Sequence, residues 1–257
     1  MITTPKTTSI WGDQSPSDRS AQGRNLGDVA YDRIEDAIVH LKFKPGTFTT
    51  IAAIQDDVAL GRTPVLEAIR RLSNDTLVNV QSRRGLQIAP IQLDRERLLL
   101  RLRRDVERHV VELATERATS VHRNQMHQLI RAMDHEAQTG HRQTGDIQAF
   151  NEIDRRLDML VLEAADEPLM VRTLRPLHTM FRRTGYIYLA HLDPEGQAFT
   201  ESIKRHSLLL TAIAQGRKAD AVTAASEVIG LAETMFDTLA RNIDPVLLDA
   251  NIKPLSL

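Results

Sequence analysis

The sequence has no cysteine, which excludes disulfides, thiolate nucleophiles and thiolate metal ligands and fits a reducing cytoplasm. Aromatic residues make up only 4% of the chain. A core must therefore come from Leu, Ile, Val and Ala, a composition that favours packed helices over an aromatic-rich sandwich. Net charge is almost absent too: 33 Lys and Arg stand against 34 Asp and Glu, giving -1. No whole-molecule field draws nucleic acid, so any such contact must come from a local patch. Nowhere do about 18 apolar residues run together, so no membrane span is expected. A glycine-rich phosphate loop and a serine elbow are likewise missing, which argues against the commoner enzymatic chemistries.

What is present divides in two, as expected for 257 residues. Residues 1–27 are rich in Ser, Thr, Gln, Pro and Gly and lack an apolar signal core; they are expected to form a flexible arm. Residues 28–90 carry a compact pattern. Ala30, Ile34, Ala37, Ile38 and Leu41 recur at helical spacing and predict a helix over 28–41. Lys44-Pro45-Gly46 ends it in a tight turn. Thr50 caps a second helix with an apolar stripe of Ile51, Ile54 and Val58. Thr63 is placed to cap a third, which Pro64 enters and whose buried stripe is Val65, Ala68, Ile69 and Leu72. Leu77 to Val80 and Leu86 to Ile88 then read as two short strands around a basic turn. Helix, helix, turn, helix and hairpin make a winged helix-turn-helix, which places its third helix in a DNA major groove and its wing beside the backbone. Arg62, Thr63, Arg70 and Arg71 on the helix, and Arg83, Arg84 and Gly85 on the wing, are the candidate DNA contacts. Taken singly, each arginine also fits a solvated surface.

The run Leu60-Gly61-Arg62-Thr63-Pro64-Val65-Leu66-Glu67-Ala68-Ile69, followed by Leu77-Val78 and Arg84-Gly85, resembles the DNA-binding domain of GntR-family bacterial transcription regulators. The family pattern there is an aliphatic-Ser-Arg-Thr-Pro-Val-Arg-Glu-Ala-Leu run, then Leu-Val and an Arg-Gly wing. Three positions depart from it: Gly61 replaces the Ser, Leu66 the second Arg, and Thr76 the Gly before Leu-Val. Losing a hydroxyl and a guanidinium on the reading face implies an altered operator or, failing that, loss of DNA binding.

Ala89 to Asp94 is a short linker, and residues 94–241 show only helical periodicity, predicting helices near 95–118, 124–137, 147–165, 168–188, 198–215 and 219–241. Residues 138–145 read as a loop between the second and third of these, and residues 242–257 read as a C-terminal tail, either an ordered cap or frayed. The fold class is thus mainly α: a winged helix-turn-helix with a small β-hairpin, then an antiparallel helical bundle. Arg103 with Val106-Glu107, the stretch Asp154-Arg155-Arg156-Leu157-Asp158, Pro168-Leu169 and His206 resemble landmarks of the effector-binding and dimerisation domain of the FadR branch of the family. Metal-binding members of that branch use an Asp and three His, whose positions fall here on Asp154, Asp158, His206 and Val228.

Asp154 and Asp158 share one helix face. With His206 they are the candidate ligands for a divalent metal such as Zn, Mn or Ni; a metal-free polar pocket is the other reading. Arg103, Arg175, His178 and Arg182 are the candidate contacts to an effector, expected to be a small organic acid because guanidinium groups grip carboxylates in a fork. The resemblance implies a transcription regulator, a repressor acting as a homodimer on an inverted-repeat operator, switched by that effector. The alternatives are an effector-independent repressor or architectural DNA-binding protein with a degenerate pocket, and a non-DNA helical binding protein or metal-dependent hydrolase.

Overall fold

A computed structural model describes residues 25–139 and 144–251. The expected arm therefore lies outside the described residues, apart from its last few positions. The same holds for the middle of the loop expected over 138–145.

Helix α1 (Leu26–Val39) starts at Asn25, whose side chain accepts a hydrogen bond from Gly27 N at 3.1 Å, satisfying one of the free amides of the first turn. It ends two residues before the predicted boundary, because Leu41 adopts a left-handed backbone with φ 59°. The turn at Gly46, φ 80°, leads into a two-residue strand β1 (Phe48–Thr49) that the sequence did not announce. Thr50 caps α2 (Ile51–Val58) as predicted, its hydroxyl accepting from Ala53 N at 3.1 Å. Helix α3 (Arg62–Asn74) begins one residue before the predicted cap: Gly61, not Thr63, is the N-cap and makes no side-chain bond. Gly61 is extended there, which costs little at a cap. Pro64 becomes the third helical residue, where its missing N–H is still one of the unpaired four.

Strands β2 (Val78–Gln81) and β3 (Gly85–Ile88) form the predicted hairpin, and β1 pairs with the other edge of β3, Phe48 opposite Gln87. The wing is thus a three-stranded antiparallel sheet in the order β1-β3-β2. Ala30, Ile34, Ile38, Ile54, Val65, Ala68, Leu72, Leu77 and Ile88 close the core of this unit, all of them fully buried. Each large aliphatic among them contributes roughly 2 kcal/mol of burial.

Six long helices follow: α4 (Leu93–Arg117), α5 (Ser120–Thr139), α6 (Thr144–Ala165), α7 (Pro168–His191), α8 (Gln197–Ala214) and α9 (Lys218–Asn242). Helix α4 packs on α9, α6 and α7, and α5 packs on α8 and α6. Among the described residues no helix is long and apolar enough to cross a membrane. Within the expected C-terminal tail, a short helix α10 (Pro245–Leu248) forms and the chain straps back across the first unit. Ile91 N donates to Leu248 O at 2.8 Å, Ala250 N to Pro45 O at 2.9 Å, and the Asn251 side chain to Gly46 O. The two units also meet directly, with α1 lying against α7.

Candidate functional site

Opposite its buried stripe, α3 exposes Arg62, Leu66 and Arg70, four residues apart and hence in one row, with Thr63 beside them. Leu66 is 40% exposed in the middle of that row. At the wing, Arg83 (φ 69°) and Gly85 (φ 89°) tighten the turn, and Arg83 and Arg84 are exposed. A Cβ on Gly85 would lie 2.8 Å from Thr49 O, so glycine is needed there for both backbone and space. Arg62, Arg70, Arg83 and Arg84 form no ion pair among the described residues. Arg71 is placed differently. Its guanidinium pairs with Asp28 at 2.6 Å and lies over the Tyr31 ring at 4.5 Å, so it clamps α3 to α1.

In the bundle a cavity encloses about 670 Å³ when the space open to solvent is counted. Five of the seven sequence-predicted bundle residues line it: Arg103 from α4, Asp154 and Asp158 from α6, Arg182 from α7, and His206 from α8. His178 stands just behind the wall, its Nε2 2.9 Å from Glu107 Oε2 and its Nδ1 3.4 Å from Asp158 Oδ2. Arg175 is the exception. It faces α1, donating to Asp32 at 2.9 Å and stacking over Tyr31 at 4.4 Å, because one turn along α7 carries the side chain from the cavity to the domain boundary. Asn151 and Ser202 also line the cavity, as do Phe150, Phe181 and Phe236. Sequence reasoning missed them, although Asn151 lies one turn before Asp154 on the same helix face.

The polar groups are tightly interlocked. Arg103 Nε donates to Glu107 at 3.0 Å and its guanidinium lies 5.4 Å from the Phe181 ring centroid. Burial works to raise the Glu107 pKa, but the charges and hydrogen bonds of His178 and Arg103 outweigh it and hold the group at about 2. Burial likewise works against ionised Asp154, and the neighbouring His206 overcomes it, leaving Asp154 lowered. His206 is raised: burial opposes its charge, but Asp154 favours it more. Asp158 is pushed up, first by burial and then by repulsion from Asp154, with His178 and Arg103 opposing.

A metal held by Asp154, Asp158 and His206 is not assembled. Among the described residues no three His, Cys, Asp or Glu form a group that could hold a metal ion. His206 Nε2 sits 3.1 Å from Asp154 Oδ1, whereas Asp158 is nearest His178. Val228 occupies the wall where the resemblance places a third histidine, and two guanidinium groups line the same space. A cation site with that charge arrangement lacks donors and carries repulsion. As arranged here, the donor set does not fit the expected metal.

One helix ties the cavity to the reading helix. Asp28, Tyr31, Asp32 and Glu35 follow one another along a single stripe of α1. The first pair engages Arg71 of α3. The second pair engages α7: Asp32 binds Arg175, and Glu35 accepts from Arg182 Nη2 at 3.2 Å and from the Thr179 hydroxyl. Tyr31 is thus held between Arg71 and Arg175, and its hydroxyl donates to Asp75 at 2.7 Å. Arg182 belongs to the cavity wall and to the domain boundary at once.

Comparison with known proteins agrees with this geometry. Residues 26–88 match the pattern of the "Bacterial regulatory proteins, gntR family", and residues 98–231 match the FCD domain. The chain belongs to the GntR family. This GntR regulator is 26% identical over 185 residues to the "HTH-type transcriptional repressor RspR" of Escherichia coli strain K12, covering 72% of this chain and 77% of that protein. An "Uncharacterized HTH-type transcriptional regulator YdfH" of Shigella flexneri matches to the same extent. Among solved structures, E. coli McbR/YncC superposes with a TM-score of 0.71 at 16% identity, over 85% of this chain and 100% of that one. A putative GntR regulator from Rhodococcus sp. RHA1 gives a TM-score of 0.60 at 17% identity, over 84% and 98%; these two show the shared fold. The chain is a transcription regulator with a winged helix-turn-helix and an FCD effector-binding domain, and the families and relatives it matches are regulators rather than enzymes.

Proposed function

We propose that this GntR regulator is a repressor that binds an inverted-repeat operator as a homodimer in the cytoplasm and is switched by a small carboxylate in the bundle cavity. A row of Arg62, Leu66 and Arg70 supports DNA reading, with Arg62 placed for a base edge or phosphate at the helix start and Arg83 and Arg84 for the backbone. Two copies arranged about a two-fold axis place their α3 helices in successive major grooves. Repression is supported by the name of the RspR relative. The observation that carries the switch is Arg182: it borders the cavity and also holds Glu35 of the DNA-binding unit. A ligand carboxylate that draws on Arg182 changes the strength of that hold, and so the placement of α1 and α3.

The test uses the full-length protein and DNA from upstream of its own gene. Fluorescence anisotropy at fixed salt should show selective binding that Arg62→Ala weakens about tenfold or more, in line with roughly 1–3 kcal/mol per base-edge contact. A panel of small carboxylates should include one that shifts the operator affinity. Selective binding with no response to any acid would leave an effector-independent repressor, and no selective binding at all would sink the DNA-binding reading.

A further inference from the structure

The cavity holds more than an anion-binding patch. Its two guanidinium groups already face carboxylates: Arg103 pairs with Glu107, and Arg182 with Glu35. Its own two carboxylates, Asp154 and Asp158, have their closest charged partners in the imidazoles of His206 and His178. The bonds left unmade are of both kinds. Arg182 Nε and Asn151 Nδ2 are donors without a hydrogen-bond partner, on residues 7% and 5% exposed, and Asp154 Oδ1 is a buried acceptor that makes no aligned hydrogen bond, with His206 Nε2 beside it at 3.1 Å.

A simple anion would satisfy the donors and set its charge against two buried carboxylates. A simple cation would satisfy Asp154 and leave Arg182 Nε and Asn151 Nδ2 bare. Either choice strands a buried polar group, at a cost of roughly 1–3 kcal/mol each. One molecule that carries an ammonium and a carboxylate side by side satisfies all three. Much of the remaining wall is apolar, with Phe150, Phe181, Phe236 and Met235 offering room for a hydrocarbon group.

From this we propose that the cavity takes a zwitterion, an α-amino acid with an apolar side chain, its carboxylate on Arg182 and Asn151 and its ammonium on Asp154. This rests on the cavity being the effector site, and it narrows the ligand from organic acids in general. Discrimination comes from the buried groups that a one-charge analogue leaves unpaired.

The full-length protein is titrated by calorimetry with leucine, valine, methionine and phenylalanine. Each is compared with its deaminated acid and its decarboxylated amine. At least one amino acid should bind ten times more tightly or better than both its analogues and raise Tm. Asp154→Asn, checked for folding by circular dichroism, should reduce the preference for the amino acid over the acid to about threefold or less. If the acids bind as well as the amino acids, or the amines do, the zwitterion is overturned while the effector cavity stands. If no compound of the three sets binds, the zwitterion is overturned, and the absence of any acid effect on operator affinity then removes the effector reading as well.

Discussion

Glu107 shows how a single residue stabilises the bundle while sitting behind its binding wall. It is 6% exposed and receives hydrogen bonds from Arg103 at 3.0 Å and His178 at 2.9 Å. Its folded pKa, about 2, lies below the ordinary 4.5. Such a group contributes stability above its unfolded pKa, and that contribution fades as pH falls through the folded value. The gap corresponds to roughly 3 kcal/mol. Glu107→Gln should therefore lower the urea unfolding free energy by about that amount at pH 7, since it also leaves the buried Arg103 guanidinium without its partner. The difference from wild type should shrink from pH 5 downwards, as far as both proteins remain folded. A constant difference would show that packing, not charge, sets the loss. The sequence showed that Asp154 and Asp158 share a helix face, and the cavity gathers Arg103, Arg182 and His206 around them. What it did not show is the partner on the far side of each side chain. Arg70 and Arg71 are adjacent, yet a rotation of about 100° along the helix sends one to solvent and the other onto Tyr31.

At the scale of elements, the long helices were legible because their apolar stripes repeat over five or more turns, and the observed bounds fall within a few residues of those read from periodicity. Two elements were invisible for a physical reason. Strand β1 has two residues, too few for any alternation, and exists because β3 has a free edge. Helix α10 has four residues, none of them buried, and its place is fixed by backbone bonds to the linker and to the Pro45-Gly46 turn. Gly46 has φ 80°, and a Cβ there would collide with the Asp249 carboxylate. Gly46→Ala should consequently cost about 1–2 kcal/mol from the backbone conformation alone and release the strap over residues 245–251. Hydrogen exchange provides the check: the amides of Ile91 and Ala250 should lose protection while those of α8 keep theirs. Unchanged protection at Ala250 would mean that the strap is held by something other than this turn.

Across the whole molecule, the α1 stripe decides whether the cavity and the reading helix are one machine or two neighbours. Asp28 and Tyr31 hold Arg71 of α3, and Asp32 and Glu35 hold α7, so a rigid helix with two charged grips spans the distance between the sites. Glu35 is 2% exposed and Arg182 7%, which makes their contact sensitive to competition inside the cavity, since a buried pair that loses one partner costs roughly 3–5 kcal/mol. Coupling between sites of this kind is typically 1–3 kcal/mol, or about 5–150-fold in affinity. Glu35→Gln keeps the shape and removes the charge that Arg182 answers. Operator affinity of the variant, measured by anisotropy with and without the compound that shifts the wild type, should respond by a factor near one, while calorimetry still detects that compound in the cavity. Linkage demands the reciprocal result as well: operator DNA should alter ligand affinity in the wild type and leave it unchanged in Glu35→Gln. A variant that binds both partners and still responds in full would place the coupling outside Arg182 and Glu35, and the Asp32–Arg175 grip would be the remaining route through α1.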